Sequence, residues 1–227
     1  MAADDDPARA EVLARVRRAA VVAPAGPAKR AAVPPPTGPT PPYPGAGPEL
    51  SGDDTVLLFT ERLAGHGIGV QHVTGVEDLP RVIASALWGR AVRRVVVPRG
   101  LPAPWLADLD GVWAMRDDPP RAPLSTRTIE SAGAAVTRCA VAVADSGTLV
   151  FDGGIGQGRR VLSLLPGFHL CVVEAGQIVP AMADALAALD PARPGTWLTG
   201  TTATTAVDGV RVPGVHGPHA IGVIVVG

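Results

Sequence analysis

The sequence predicts an α/β protein, a mostly parallel sheet with helices on both faces. Short apolar, β-branched runs such as RRVVVP (93–98), HLCVVEA (169–175) and AIGVIVV (220–226) alternate with helix-like segments, and strands apolar along their whole length are those buried on both faces. The chain has 227 residues and no internal repeat, long enough for one sizeable core. A glycine-rich run, DGGIGQGRR (152–160), directly follows one apolar strand, as a strand-to-helix turn of such a sheet would.

In chain order, Asp6 and Pro7 supply an N-cap and a proline at the first helical position, and Val12, Val16 and Ala19 recur at helical spacing, which predicts a helix over 7–22 within an N-terminal segment, 1–23. Residues 24–48 hold ten of the 24 prolines and read as a semi-extended linker, because proline donates no backbone hydrogen bond. The remainder, 49–227, forms the α/β domain. It begins with a helix over 51–66, a strand over 68–73, a helix over 75–90 and a strand over 93–98 that Pro98 bounds. A short helix in PAPWLADL (102–109), a strand in GVWAM (111–115) and a serine- or threonine-capped helix in STRTIESAGA (125–134) follow. TRCAVAVA (137–144) and TLVFD (148–152) are strands around the turn Asp145-Ser146-Gly147. The last pieces are a helix over 158–165, the strand 169–175, a helix over 177–189 and the strand 220–226. Ligands of such sheets bind beyond the carboxyl ends of the strands.

Composition narrows the function. A formal net charge of −1 offers no electrostatic footprint for nucleic acid. No apolar run approaches the roughly 20 residues of a membrane span, and the acidic MAADDDPARAEV start lacks the apolar stretch of a secretory signal. A cytoplasmic protein without a membrane span is expected. The two cysteines, Cys139 and Cys171, stand in apolar runs and read as buried thiols. With no CxxC and no Cys/His cluster, neither structural zinc nor an iron–sulfur cluster is expected on this chain.

The glycine run fails both common nucleotide fingerprints. Gly154, Gly156 and Gly158 give G-x-G-x-G, and the last glycine of a dinucleotide fingerprint would fall at Arg159. Gly153 and Gly158 have P-loop spacing, yet Arg159 and Arg160 replace the lysine and the magnesium-ligating hydroxyl. Two readings remain: an anion-binding turn whose backbone N–H groups and arginines grip phosphate or carboxylate, or a β–α connection with solvated arginines. Thr199, Thr201, Thr202, Thr204 and Thr205 form a second cluster, suited to capping or to a polar ligand. His216, in the turn GVHGPH (214–219), is a candidate acid, base or anion contact, or a turn histidine bonded to backbone.

The continuous run ADSGTLVFDGGIGQGRRVLSLLPGFHLCVVEAGQIVPAMADAL (144–186) and the GVHGP turn before the final strand resemble the LutC/YkgG family of lactate-utilisation proteins, the LUD domain. The resemblance is strong over 126–227 and weak before it. It implies a fold similar to NagB/RpiA/CoA-transferase proteins and participation in oxidising L-lactate to pyruvate beside iron–sulfur partner proteins, which would hold the clusters. Relatives commonly carry a segment like G-P-S-A-T-S-D-I-E where this chain reads GTTATTAVD (200–208). Thr201 then replaces the proline, Ala206 an acidic residue and Asp208 a glutamate, while His219 stands where an arginine is usual.

Together these readings imply a small anionic ligand held between the 153–160 loop and the 201–216 loop. Ser146, Gly147, Thr148, Gly154, Gly156, Gly158, Arg159, Arg160 and Thr202 are the candidate ligand contacts, and His216 the candidate catalytic residue. No metal ligands are expected. The alternatives are a stand-alone enzyme of the same fold on a phosphorylated or CoA-type substrate, with Glu130 or Glu174 as its catalytic carboxylate, and a non-catalytic assembly subunit docking through 1–48.

Overall fold

The computed structural model describes residues 50–201, 203–205, 211–213 and 217–227. In the N-terminal segment it describes only Glu11, Ala14 and Arg15, all helical. The rest of the helix expected over 7–22, and the whole of the 24–48 linker, lie outside the described residues.

Six strands form one parallel sheet. They are β1 (Gly69–Val73), β2 (Arg94–Pro98), β3 (Trp113–Asp117), β4 (Gly133–Arg138), β7 (Phe168–Glu174) and β12 (Ala220–Val226), in the order β1-β12-β7-β4-β2-β3. Every pairing within it is parallel, with Ala220 opposite Phe168 and Ala134 opposite the same residue on the other side. The expected fold class is therefore found.

Side-chain alternation sorts the strands' two faces into separate cores. Val95, Val97, Val136, Leu170, Val172 and Ile224 face α2 (Leu79–Trp88). That helix buries Leu79, Val82, Ile83 and Leu87 at three- and four-residue spacing, a stripe that a helix must bury to be stable. On the opposite face, Cys171, Val173, Ile221, Val223 and Val225 meet α1 (Gly52–Gly65) through Phe59 and Leu63. Val96 and Ala135 on this face meet Ile129 of α3 (Thr126–Glu130) and Leu162 of α4 (Arg160–Leu164). Ser51 and Ser125 cap α1 and α3, each hydroxyl accepting from a backbone N–H three residues on, at 3.2 and 3.1 Å.

A second sheet, absent from the sequence reading, covers that opposite face. It contains β5 (Val141–Val143), β6 (Thr148–Phe151), β8 (Ile178–Val179) and β9 (Thr196–Leu198) in the order β8-β5-β6-β9, with β6 antiparallel to both neighbours. Its inner face, including Ala142, Leu149, Phe151 and Leu198, joins the α1 core. Its outer face, Val141, Val143 and Val150, packs on Ala185 of α5 (Met182–Ala188).

Three expectations are corrected, two of them by the second sheet. The run 137–144 is not one strand, because the chain leaves the first sheet after Arg138 and enters the second at Val141. The helix expected over 177–189 starts only at Met182, since Ile178 and Val179 pair with β5 and Pro180 cannot lie in a helix interior. The short helix expected in 102–109 is a single 3-10 turn, Ala103–Leu106, with one proline just before it and another within it. Ala203–Thr205 (β10) and Arg211–Pro213 (β11) form a separate antiparallel pair. Among the described residues no helix is long and apolar enough to cross a membrane.

Candidate functional site

The parallel sheet has a switch point between β2 and β4. From β2 the chain moves outward to β3, and from β4 it passes through the second sheet and α4 to β7 on the other side. At such a point the connections part and leave a crevice beyond the strand ends, the usual ligand position of open α/β sheets.

The glycine loop fills this crevice with its own backbone. The Gly156 N–H donates to the carbonyl of Arg99, just past β2, at 3.2 Å, and its carbonyl accepts from the N–H of Arg138, the last residue of β4, at 2.8 Å. Gly156 thus straps the two strand ends together. The glycines are there for close approach: a Cβ on Gly156 would lie 2.9 Å from Arg138 Cδ, and one on Gly158 2.5 Å from Leu162 Cδ1 and 2.7 Å from Pro98 Cβ. Both residues also have φ near +75°, where side chains other than hydrogen are strained.

The rest of the loop is tied internally. Asp152 Oδ1 accepts from the Gly154 N–H at 2.9 Å and from Gln157 Nε2 at 2.8 Å, while Gln157 Oε1 accepts from the Asp152 N–H at 2.8 Å. Burial pushes the Asp152 carboxyl up, but those bonds and the Arg193 guanidinium, 3.2 Å from Oδ2, outweigh it and hold the group below its usual range. The N–H groups of Gly154, Gly156 and Gln157 therefore already serve protein acceptors.

Beside the strap lies a cavity of about 940 Å³, beyond the ends of β2 and β3. Arg159 and Arg160 both line it, as do Gly154 and Gly158. Arg159 is held in a fork on Asp117, the last residue of β3. Its Nε donates to Oδ2 at 2.8 Å, and its Nη2 donates to Oδ1 at 2.7 Å and to the Leu124 carbonyl at 2.8 Å. The Asp117 side chain is wholly buried, and its hydrogen bonds raise the pKa of the Arg159 guanidinium above its ordinary value. Arg159 Nη1 has no partner among the described residues. Arg160 is exposed and makes no ion pair among them.

The structure does not gather all the expected contacts. Ser146, Gly147 and Thr148 lie at the start of β6 and the glycine loop follows its end, so the strand separates them by about 10 Å. There the Thr148 hydroxyl is 2.8 Å from that of Ser146 and 2.6 Å from that of Thr199, and His66 Nε2 is 2.9 Å from the Ser146 carbonyl. Gly147 fits against α1, its missing Cβ 3.0 Å from Arg62 Cβ. Thr202 and His216 lie outside the described residues. Gly217–His219 precede β12 at the amino end of the sheet, whereas the glycine loop follows carboxyl ends. Of the alternative carboxylates, Glu174 pairs with Arg138 at 2.5 Å and Glu130 ends α3; neither lines the cavity.

Asp117, Arg99 and Arg193 also line the cavity and were missed from sequence. The signal for Asp117 was a carboxylate closing an apolar strand immediately before Asp118 and two prolines. Below the site, His169 of β7 is fully buried. Its Nε2 lies 2.7 Å from Thr137 Oγ1 and its Nδ1 has no partner among the described residues. Burial lowers its pKa to about 4, so the ring is neutral at physiological pH. Cys139 and Cys171 are free and buried, and burial, reinforced by Cys139, pushes the Cys171 thiol well up.

An open parallel sheet with an arginine-lined cavity beside its switch point defines the class, an α/β domain with a candidate ligand cavity. Its membership is specific: residues 58–226 match the LUD domain model, and the chain belongs to that family. It is 46% identical over 191 residues to a Lactate utilization protein C from Deinococcus radiodurans, covering 82% of this chain and 86% of the relative. A Lactate utilization protein C from Geobacillus sp. (strain WCH70) is 32% identical over 105 residues, 43% of each chain. The crystal structure of a DUF162 family protein from Deinococcus radiodurans superimposes with a TM-score of 0.64 at 39% identity, covering 78% of this chain and 99% of that one.

Proposed function

We propose that this chain is a cytoplasmic component of a lactate-utilisation system that oxidises L-lactate to pyruvate with iron–sulfur partner proteins, and that the cavity beside its switch point binds an anionic ligand. The observation that carries the reading is the 46% identity to a Lactate utilization protein C over 86% of that relative. The site's chemistry supports the anion, since four guanidiniums line a cavity whose two carboxylates, Asp117 and Asp152, are already paired. Oxidation of lactate releases two electrons and two protons, and electrons need an acceptor. The two buried thiols of this chain fall short of the four that a cluster takes, which supports assigning that role to partners. Free thiols suit a reducing compartment.

Reconstitution tests the proposal. The candidate iron–sulfur partners are purified and lactate-dependent reduction of an artificial electron acceptor is followed with and without this chain. Reduction is expected to require the chain. An unchanged rate in its absence refutes the assignment.

A further inference from the structure

We infer that the cavity takes a phosphorylated ligand of nucleotide size, a larger molecule than lactate. The inference rests on the reading that this cavity is the ligand site, and three observations lead to it.

The first is size. A benzene-sized molecule fills a cavity of about 150 Å³, and lactate is no larger. The cavity of about 940 Å³ instead stands at the upper end of the range for whole drug-sized ligands, roughly 300–1,000 Å³. Lactate alone would leave most of it to water.

The second is charge. Asp117 accepts from Arg159 through both oxygens, and Asp152 is occupied by Gly154, Gln157 and Arg193. Neither carboxylate is left to repel an anion at full strength. Arg160 has no ion pair among the described residues, Arg159 keeps Nη1 unpartnered there, and Arg99 reaches only Asp118, at 3.6 Å, with 61% of its side chain exposed. One lactate carboxylate satisfies a single guanidinium fork and leaves the other cations of the lining without an anion. A phosphate, with up to two charges and three acceptor oxygens, matches the set.

The third is the walls. Phe151, Pro119 and Pro194 line the cavity, and Ile155 stands beside them on the glycine loop with 79% of its surface exposed. An apolar side chain so exposed at a binding cavity offers cover for a flat ring. The backbone of Gly153, Gly154 and Gly195 lets such a ring approach closely. Phosphate at the arginines and a base against Ile155 describe a nucleotide; phosphate alone describes a sugar phosphate.

Calorimetric titration of the full chain separates these sources, using ADP, AMP, ribose 5-phosphate and L-lactate as probes. A nucleotide is expected to bind, ribose 5-phosphate to bind about tenfold or more weakly for want of the ring contact, and lactate to give no heat at the same concentration. Arg160→Ala removes an exposed, unpaired guanidinium and is expected to weaken nucleotide binding about tenfold or more, whereas Arg81→Ala, on the far α2 surface, leaves it unchanged. Ribose 5-phosphate binding as tightly as ADP overturns the nucleotide assignment, as does nucleotide binding that ignores both Arg160→Ala and Arg99→Ala. Lactate binding that Arg160→Ala abolishes, without nucleotide binding, overturns the inference and leaves the anion site intact. If no probe binds while lactate oxidation still needs the chain, the inference falls and the lactate-system assignment stands.

Discussion

Acidification should destabilise this fold through one residue, His169. Its ring is wholly buried against Phe151, 5.3 Å between centroids, and among the described residues only Nε2 has a partner, the Thr137 hydroxyl. Burial holds the folded pKa at about 4, while an unfolded histidine titrates near 6.5. Between those values the unfolded chain binds a proton that the folded chain does not, so stability falls as pH drops through this window and is unaffected by this group above it. Every tenfold difference in proton affinity between the two states is worth about 1.4 kcal/mol, and at pH 4.5 the loss amounts to about 2–3 kcal/mol. The same carboxylates are present in the wild type and in the variant below, so the difference between the two proteins isolates the histidine. The assay is urea unfolding at pH 7 and pH 4.5, for the wild type and for His169→Gln, which keeps a hydrogen-bonding partner for Thr137 without titrating. The variant is expected to lose about 2–3 kcal/mol less than the wild type across that interval. Equal losses in the two proteins, or a His169 resonance titrating near neutral pH in the folded chain, would refute the reasoning.

Two substitutions probe the site's scaffold. Gly158→Ala combines a positive φ with a Cβ 2.5 Å from Leu162 Cδ1 and 2.7 Å from Pro98 Cβ, and is expected to lower stability by about 2–3 kcal/mol, read as a drop in melting temperature; an unchanged melting temperature would show that the loop is not packed on β2. Asp117→Asn leaves the Arg159 guanidinium without its anion and is expected to destabilise by about 3 kcal/mol, toward the lower end for buried pairs because Arg159 is partly exposed. Chemical denaturation checks it, and a loss below about 1 kcal/mol would mean that solvent replaces the carboxylate.

The parallel sheet was legible because its strands are apolar on both faces, and RVVVP and AIGVIVV admit no other easy reading. Helix starts were legible where a serine cap precedes the helix, at Ser51 and Ser125. The second sheet was not. Nothing at Cys139-Ala140, neither glycine nor proline, marks where the chain leaves one sheet for the other, so 137–144 read as one strand. Ile178 and Val179 are apolar neighbours that fit a helix stripe as well as a two-residue strand; Pro180 was the local sign against the helix, and their pairing with β5 makes them a strand. Arg159 was legible as a candidate, and it lines the cavity, but its partner lies 42 positions away on β3. Pairing at that separation depends on strand order, which no local pattern encodes.

The glycine loop shows how composition can suggest a mechanism that geometry reassigns. In a phosphate-cradling loop, glycines turn consecutive N–H groups toward the ligand. Here the N–H groups of Gly154 and Gly156 turn to Asp152 and Arg99, and the glycines permit the loop to lie against Pro98, Leu162 and Arg138. The failure of both nucleotide fingerprints follows from this, since neither spacing is needed for a strap. With those N–H groups occupied, the proposed recognition falls chiefly to side chains, the guanidiniums that stay charged across the physiological range. An anion held by those guanidiniums would bind at any physiological pH and lose affinity as salt screens the exposed arginines, whereas a backbone cradle would depend on fixed N–H geometry. The strap and the arginines are thus separate devices on adjoining residues: Gly156 and Gly158 close the sheet ends, and Arg159 and Arg160 line the cavity beside them.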